Sequence, residues 1–425
     1  MSSSKVFSMP SAAAEGRVGW QPEGKLRELV ANLDFDLGLR ARCNGAEPAD
    51  RVARVVEGPF SWLIGGADGD SVRVTEAPPD GLLDVLDRLE VPMAEATIAP
   101  AVRANAVLVP FGWDAATLEL AQRYRRVPEH PSLDVVRRVN GRVFADRVSR
   151  ERLDDDPGPG FARSVIAVGR LLAADRDATD GWMVKAEHGN AGLGNRRITD
   201  PDLTAGDRQW LEKVFTEHDA VVVERWRSRI LDLCTVMVAA PDGSALAVAV
   251  HEVINTAAGA FVGSIFDPAG PAAAGWAVQA AAVASPVAAA LAEVGYSGPA
   301  CLDSFVWWDG AQPRLRPLAD LNARLFASWP ARELWRRWVP DRVMYWRWFG
   351  RRKLALPDDH RAAHVALGDD AFDPRRREGV LLVSPLALGL GQKHRPTHRV
   401  AVACIARERD EVFRLESRFR ERFER

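Results

Sequence analysis

Lys185 stands in a short alternating run, Trp182–Ala186, and enters a turn containing Gly189, Gly192 and Gly194 before Arg196 begins a returning segment. Glycines admit positive φ and let backbone N–H groups crowd an anion without Cβ clashes, so a lysine entering such a turn suits a phosphate. Downstream, the apolar run 220–224 ends in Glu224 and is followed by Trp226. A strand leading into a short linker offers backbone N–H and C=O to an adenine edge, and Glu224 offers a carboxylate to the amino group or ribose. Asp303 lies in a strand-like run, 298–308, and Asp320, Asn322 and Arg324 end the next one. Two carboxylates and an amide oxygen form a hard-oxygen set for magnesium, whose other ligands are waters and phosphates. Strand side chains alternate, so Asp320, Asn322 and Arg324 share a face, with Arg324 placed to stabilise charge on a phosphoryl group in transfer. Singly, each has a plainer explanation: a hairpin with a surface lysine, a strand-edge aspartate, strand-end capping. The joint order carries the reading.

Two other glycine motifs fail. A P-loop needs Gly-Lys-Ser/Thr opening a helix, and here the lysine precedes the glycines. A dinucleotide fingerprint needs Gly-x-Gly-x-x-Gly at a strand-to-helix turn. This spacing is Gly-x-x-Gly-x-Gly and leads into another strand, so a flap over phosphates remains.

The elements that must hold these residues follow from the rest of the chain. Its 425 residues suffice for two or three domains with sizeable cores. A hydrophobic content of 47% and a charged content of 27% describe a globular protein. A net charge of −2 advertises neither nucleic acid nor an acidic membrane. The cysteines at 43, 234, 301 and 404 stand far apart, which argues for reduced, buried thiols and a cytoplasmic location. No signal peptide or membrane span is expected, and the alanine-rich tract 272–292 suits a packed helix pair.

Residues 1–20 are expected to be disordered. Over 21–130 a small α/β domain is expected, with strands at 58–64, 71–75 and 104–110 and helices at 79–89 and 115–124. Asp114 is the natural cap of the last helix. Trp113 and Asp114, at a strand's C-terminal end, are candidate substrate contacts. A helix pair breaking at Asn140-Gly141 opens the next unit, 131–330, which continues through antiparallel strands. The spacing of apolar residues at 335, 338, 339, 343 and 346 predicts a helix over 331–348. A strand pair and a final amphipathic helix, 410–423, complete an extension, 331–425, expected to pack on the preceding unit. His394 and His398 have zinc spacing, but Pro396 between them argues against a helix that would present both. His188, in the flap, is either a ligand contact or a plain turn histidine.

The segments 184–197, 221–226, 295–307 and 316–328 resemble the ATP-grasp superfamily over roughly 131–328. The last is the most specific, because the superfamily commonly ends its site in a Glu-x-Asn-x-Arg-like strand. Asp320 here replaces that glutamate. The resemblance implies an α+β ATP-grasp fold behind a small α/β domain. It also implies an ADP-forming ligase that joins a carboxylate to an amine or thiol through an acyl phosphate. Arg142 takes the place of an earlier phosphate-binding lysine, and Asp232 falls near a ribose-binding acid. ATP is the implied cofactor, with Mg2+ or Mn2+ held by Asp303, Asp320 and Asn322. The implied partners are small-molecule carboxylates and amines, with a homodimer allowed, and without nucleic acid or membrane. Two alternatives stand: a small-molecule kinase using the same residues, and a nucleotide sensor or scaffold with a vestigial site.

Overall fold

The structure, a computed structural model, describes residues 26–39, 53–125, 129–189, 194–256, 259–271, 274–389 and 395–425. The expectations for residues 1–20, Cys43, Gly192 and His394 lie outside the described residues.

The first sheet is parallel, in the order β3-β2-β1-β4, from β1 (Arg27–Val30), β2 (Ser71–Val74), β3 (Glu95–Ile98) and β4 (Val107–Pro110). All four residues of β4 are buried, which suits an apolar strand covered on both faces. The helix Ala115–Ala121 starts at Asp114, whose carboxylate accepts the Thr117 N–H at 2.7 Å while the Thr117 hydroxyl accepts the Asp114 N–H at 2.8 Å. The strand expected over 58–64 is a buried 3-10 helix, Gly58–Gly65. Its proline favours a helical start over a ladder. Gly65 packs so closely on Trp329 and Pro330 that a Cβ there would come within 2.9 Å of both.

A second sheet, β5-β8-β6-β7, is antiparallel and comprises β5 (Gly160–Ala162), β6 (Trp182–Ala186), β7 (Asn195–Ile198) and β8 (Val221–Arg225). Its core meets the helices Val165–Ala174 and Ala205–Glu217, the second opened by a reciprocal Thr204–Asp207 cap.

The third sheet has eight strands. Five come first in the chain: β9 (Arg229–Ala239), β10 (Ala245–Asn255), β11 (Phe261–Phe266), β12 (Gly298–Asp309) and β13 (Gln312–Asn322). β14 (Val343–Gly350) and β15 (Gly379–Leu382) follow, then a small pair of β16 (Ala387–Leu388) with β17 (Arg395–Pro396), and finally β18 (Arg399–Ala406). The sheet order is β13-β12-β9-β10-β11-β14-β18-β15, so the C-terminal strands extend the sheet that carries Asp303 and Asp320. The alanine-rich stretch Gly275–Glu293 is long and apolar enough to cross a membrane by length and composition. Here Ala280, Val287 and Leu291 are fully buried, and the helix packs on β9, β10 and β13.

The helix expected over 331–348 is half strand. Helix Trp329–Trp338 ends before Pro340, and the chain turns into β14. Proline cannot donate to a helix and disfavours the helical region for its predecessor. Trp335 and Trp346 nevertheless share one core with Phe266, Leu334 and Ile405, so the tryptophans fill the interior beneath the sheet.

Three histidines are buried as neutral rings. Burial comes first in each case: it drives His251 down to about 3, with Arg332 adding to it, and His360 to about 4. His188 is driven to about 4 by burial, then by Arg137 and His218. Where the folded pKa lies below the unfolded value, the unfolded chain takes up protons first, so stability is lost as pH falls from about 6.5 toward 4. Each histidine contributes roughly 2 kcal/mol of loss between about pH 7 and pH 5. His360→Asn is expected to flatten the acid limb of melting temperature against pH. An unchanged limb would remove His360 from the account.

Candidate active site

Between the second and third sheets lies an open cleft, lined by Lys185 from β6, Asp232 from β9, Asp303 from β12, and Asp320 and Asn322 from β13. Lys185 is 4% exposed. Its Nζ lies 2.7 Å from Glu224 Oε2 on the neighbouring β8 and donates to the Ala319 carbonyl at 2.9 Å, tying the two sheets together. Gly194 closes the turn behind it with φ +79, and its carbonyl accepts the Ala186 N–H at 2.8 Å. That backbone conformation disfavours any residue with a Cβ.

Asp303 and Asp320 are direct register partners on β12 and β13. Burial pushes the Asp303 carboxyl up to about 7, and the Asp320 charge adds to it. Asn322 Nδ2 donates to Asp303 at 3.2 Å. Arg142, at the start of helix Arg142–Arg152, donates to Asp320 at 3.2 and 3.3 Å and to the Ala186 carbonyl at 2.8 Å. Among the described residues no three His, Cys, Asp or Glu side chains converge as a metal cage. Two facing carboxylates do fit a hard divalent cation that takes its remaining ligands from phosphate and water.

Arg324 has a partner the sequence does not indicate. Its Nε and Nη2 donate to the two carboxylate oxygens of Asp36, from the first unit, at 2.8 and 2.9 Å. Nη2 also donates to Asn322 Oδ1 at 2.9 Å, Nη1 donates to the Leu325 carbonyl at 3.0 Å, and the Phe111 ring lies 4.6 Å away. Burial works against the guanidinium charge, but Asp36, with Cys301 and Asp303 adding to it, holds the pKa above its ordinary value. Arg324 therefore lines the cleft already paired with a carboxylate.

Of the sequence candidates, Arg142, Lys185, Gly189, Asp232, Asp303, Asp320, Asn322 and Arg324 line this one cleft. Glu224 stands behind Lys185, where Arg316 Nη2 also reaches it at 3.4 Å. Trp226 does not line the cleft; Arg197 covers its ring at 4.4 Å, and its N–H donates to the Gly181 carbonyl at 2.9 Å. The Arg225 N–H is likewise committed, to Pro157, so neither amide is available to an adenine edge. Asp232 pairs with Arg229 at 3.1 Å. Arg196 turns to Asp207, and His188 is buried with its N–H 3.4 Å from His218 Nδ1. Trp113 and Asp114 are not in the cleft: Trp113 packs on His130, and Asp114 caps its helix while accepting from Asn32 at 2.7 Å.

Arg316 and Asp36 escape the sequence reading. Arg316 joins Glu224, Ser149 and Asp155 under the cleft, and burial lowers its pKa to about 9. Arg316 stands four residues before Asp320, an even spacing, but a register shift between Asp303 and Phe305 interrupts the pairing there, and Arg316 falls under the cleft instead of lining it. Asp36 is far from Arg324 in sequence and carries no local motif.

Solved structures of similar fold span nearly the whole chain. One is the Campylobacter jejuni biotin carboxylase-β-γ-ATP complex, with TM-score 0.53, 12% identity, and coverage of 94% of this chain and 91% of that one. Another is Staphylococcus aureus N5-carboxyaminoimidazole synthetase complexed with ADP, with TM-score 0.50, 10% identity, and coverage of 94% and 97%. Thermotoga maritima phosphoribosylamine–glycine ligase matches with TM-score 0.50, 11% identity, and coverage of 87% and 95%. No protein-family model and no curated protein sequence matches the chain. The likeness is one of fold alone, and the fold is the ATP-grasp fold.

Proposed function

We propose that this chain is an ATP- and magnesium-dependent ligase that joins a carboxylate to an amine or thiol through an acyl phosphate, releasing ADP. The observation that carries the reading is the meeting of Lys185, from one sheet, with Asp303, Asp320 and Asn322, from another, in a single cleft. The ATP or ADP named with two of the similar structures supports it.

Lys185 and Arg142 neutralise phosphate charge at the two sides of the cleft. Asp303, Asp320 and Asn322 would hold magnesium, which supplies charge stabilisation at the β- and γ-phosphates. Of the N–H bonds of Arg324, four are committed to Asp36, Asn322 and Leu325, which leaves one on Nη1 for an incoming oxyanion. Asp36 thereby fixes the direction in which that N–H points. The γ-phosphoryl group passes to a substrate carboxylate oxygen, ADP leaves, and the amine or thiol then displaces phosphate at the acyl carbon. No side chain needs to be a nucleophile in this scheme. Cys301 and Cys234, which line the cleft, are buried thiols, and the neighbouring Cys301, together with burial, pushes the Cys234 pKa well up.

With Mg-ATP and a mixture of carboxylic acids, hydroxylamine is expected to trap the acyl phosphate as a hydroxamate, with one ADP formed per trapped acid. ADP formation with a stable phosphoester and no hydroxamate would assign the site to a kinase instead.

A further inference from the structure

Beneath the cleft runs a row of charged side chains that the scheme above does not use. Arg316, on β13, is 6% exposed. Its Nη1 donates to the Ser149 hydroxyl at 2.7 Å and pairs with Asp155, and its Nη2 donates to Glu224 Oε1 at 3.4 Å. Glu224 Oε2 in turn holds Lys185 Nζ at 2.7 Å. The order is Asp155, Arg316, Glu224, Lys185, with charges alternating in sign and the last member in the cleft. Buried charges persist only when paired, and here two carboxylates meet two cations.

The elements explain why these residues meet. Arg142 and Ser149 stand two turns apart on helix Arg142–Arg152 and so share a face. The helix packs on β13, with Arg142 on Asp320 at the cleft and Ser149 on Arg316 further in. The Ser149 hydroxyl also donates to Asp155 at 2.7 Å, which fixes both partners of the guanidinium on that side. On the other side, Arg316 and Glu224 bridge β13 and β8, as the Ala319 carbonyl and Lys185 bridge β13 and β6 within the cleft.

A lysine whose charge is spent on one carboxylate offers little to a phosphate, and turning it away strands a buried anion. A second cation on the same carboxylate removes that obstacle, because Glu224 keeps a partner when Lys185 moves. Resting on the ligase reading above, we infer that Arg316 is a positioning residue for the nucleotide, taking over the Glu224 carboxylate as Lys185 turns to the phosphates. Arg316 touches neither nucleotide nor substrate and acts through Glu224. Ser149 and Asp155 hold its guanidinium in place throughout. In this arrangement Glu224 serves the lysine, not the adenine or the ribose.

The test measures, on the full chain, Kd for Mg-ATP by calorimetry together with KM and kcat for ADP formation. Arg316→Met leaves Lys185 as the cation that must stay on Glu224, and is expected to raise Kd and KM for Mg-ATP about tenfold, with kcat within about threefold of wild type. Adding Glu224→Gln to Arg316→Met removes the charge that traps the lysine and is expected to return Kd to within about threefold of wild type. A role in stability alone would lower the melting temperature without that rescue. Glu224→Gln by itself keeps Arg316 on Asp155 and Ser149 and is expected to lower Kd about threefold. That single variant decides the matter if Arg316→Met does not fold. Unchanged Kd in Arg316→Met, a loss that Glu224→Gln does not rescue, or a Kd that Glu224→Gln alone does not lower, each overturns the inference and leaves wild-type nucleotide binding intact. No binding of Mg-ATP by the wild type removes the ligase reading and this inference with it.

Discussion

A chain ending at Ser328 is expected to be insoluble, or folded in fragments that bind no ATP. The cut removes β14, β18 and β15 from the eight-stranded sheet and leaves β11 as a bare apolar edge. It also strips one core of Trp335, Trp346 and Leu381, and most of another that is built from Val343, Val402, Val412 and Phe419. Each such side chain stabilises the fold by roughly 1.5–3 kcal/mol on burial, and a domain is stable by only about 5–15 kcal/mol in all. Loss of Trp329 additionally exposes Gly65 and Trp62, whose ring lies 4.9 Å from it. Size-exclusion chromatography and a melting curve in Mg-ATP check this. A monodisperse 1–328 fragment with full ATP binding would make the tail a separate partner-binding module.

Lys185→Ala is expected to abolish most of the stabilisation by Mg-ATP, which for the intact chain reaches about 2.7 kcal/mol at a ligand concentration of about 100 Kd. The lysine is the cation that β6 brings to the cleft, so its loss removes phosphate charge neutralisation. It also leaves Glu224 with Arg316 alone, at 3.4 Å. Because removing one partner of a buried pair is itself destabilising by about 3–5 kcal/mol, each variant must be compared with its own ligand-free melting temperature. Asp320→Asn keeps the side-chain shape but removes one of two facing carboxylates and the ion-pair partner of Arg142. ADP formation is expected to fall on the order of 10²–10³-fold, with a steeper magnesium requirement. Wild-type turnover in Asp320→Asn, at unchanged magnesium dependence, would place the metal elsewhere.

What the sequence by itself determined lies in local pattern. The run Val107–Pro110, the glycine turn after Lys185, and the neighbouring strands that carry Asp303 and Asp320 all follow from short-range chemistry. Alternation places side chains on faces, glycine permits positive φ, and an apolar run demands a covered strand. Those rules also located Lys185, Asp303, Asp320, Asn322 and Arg324 among the residues that line the cleft. The same rules failed where two periods overlap. Residues 335, 338, 339, 343 and 346 satisfy a helical spacing, but Pro340 divides them into a helix and a strand that share one core. Only the tertiary structure decided what surrounds the cleft. The Asp36–Arg324 pair joins residues 288 apart in sequence, and the Glu57–His398 pair residues 341 apart. Neither leaves a local signature, because an ion pair depends on distance in space and not on spacing along the chain. Arg316 stands four residues before Asp320, a spacing that alternation puts on the same face, and only the structure shows the irregularity between β12 and β13 that leaves it beneath the cleft.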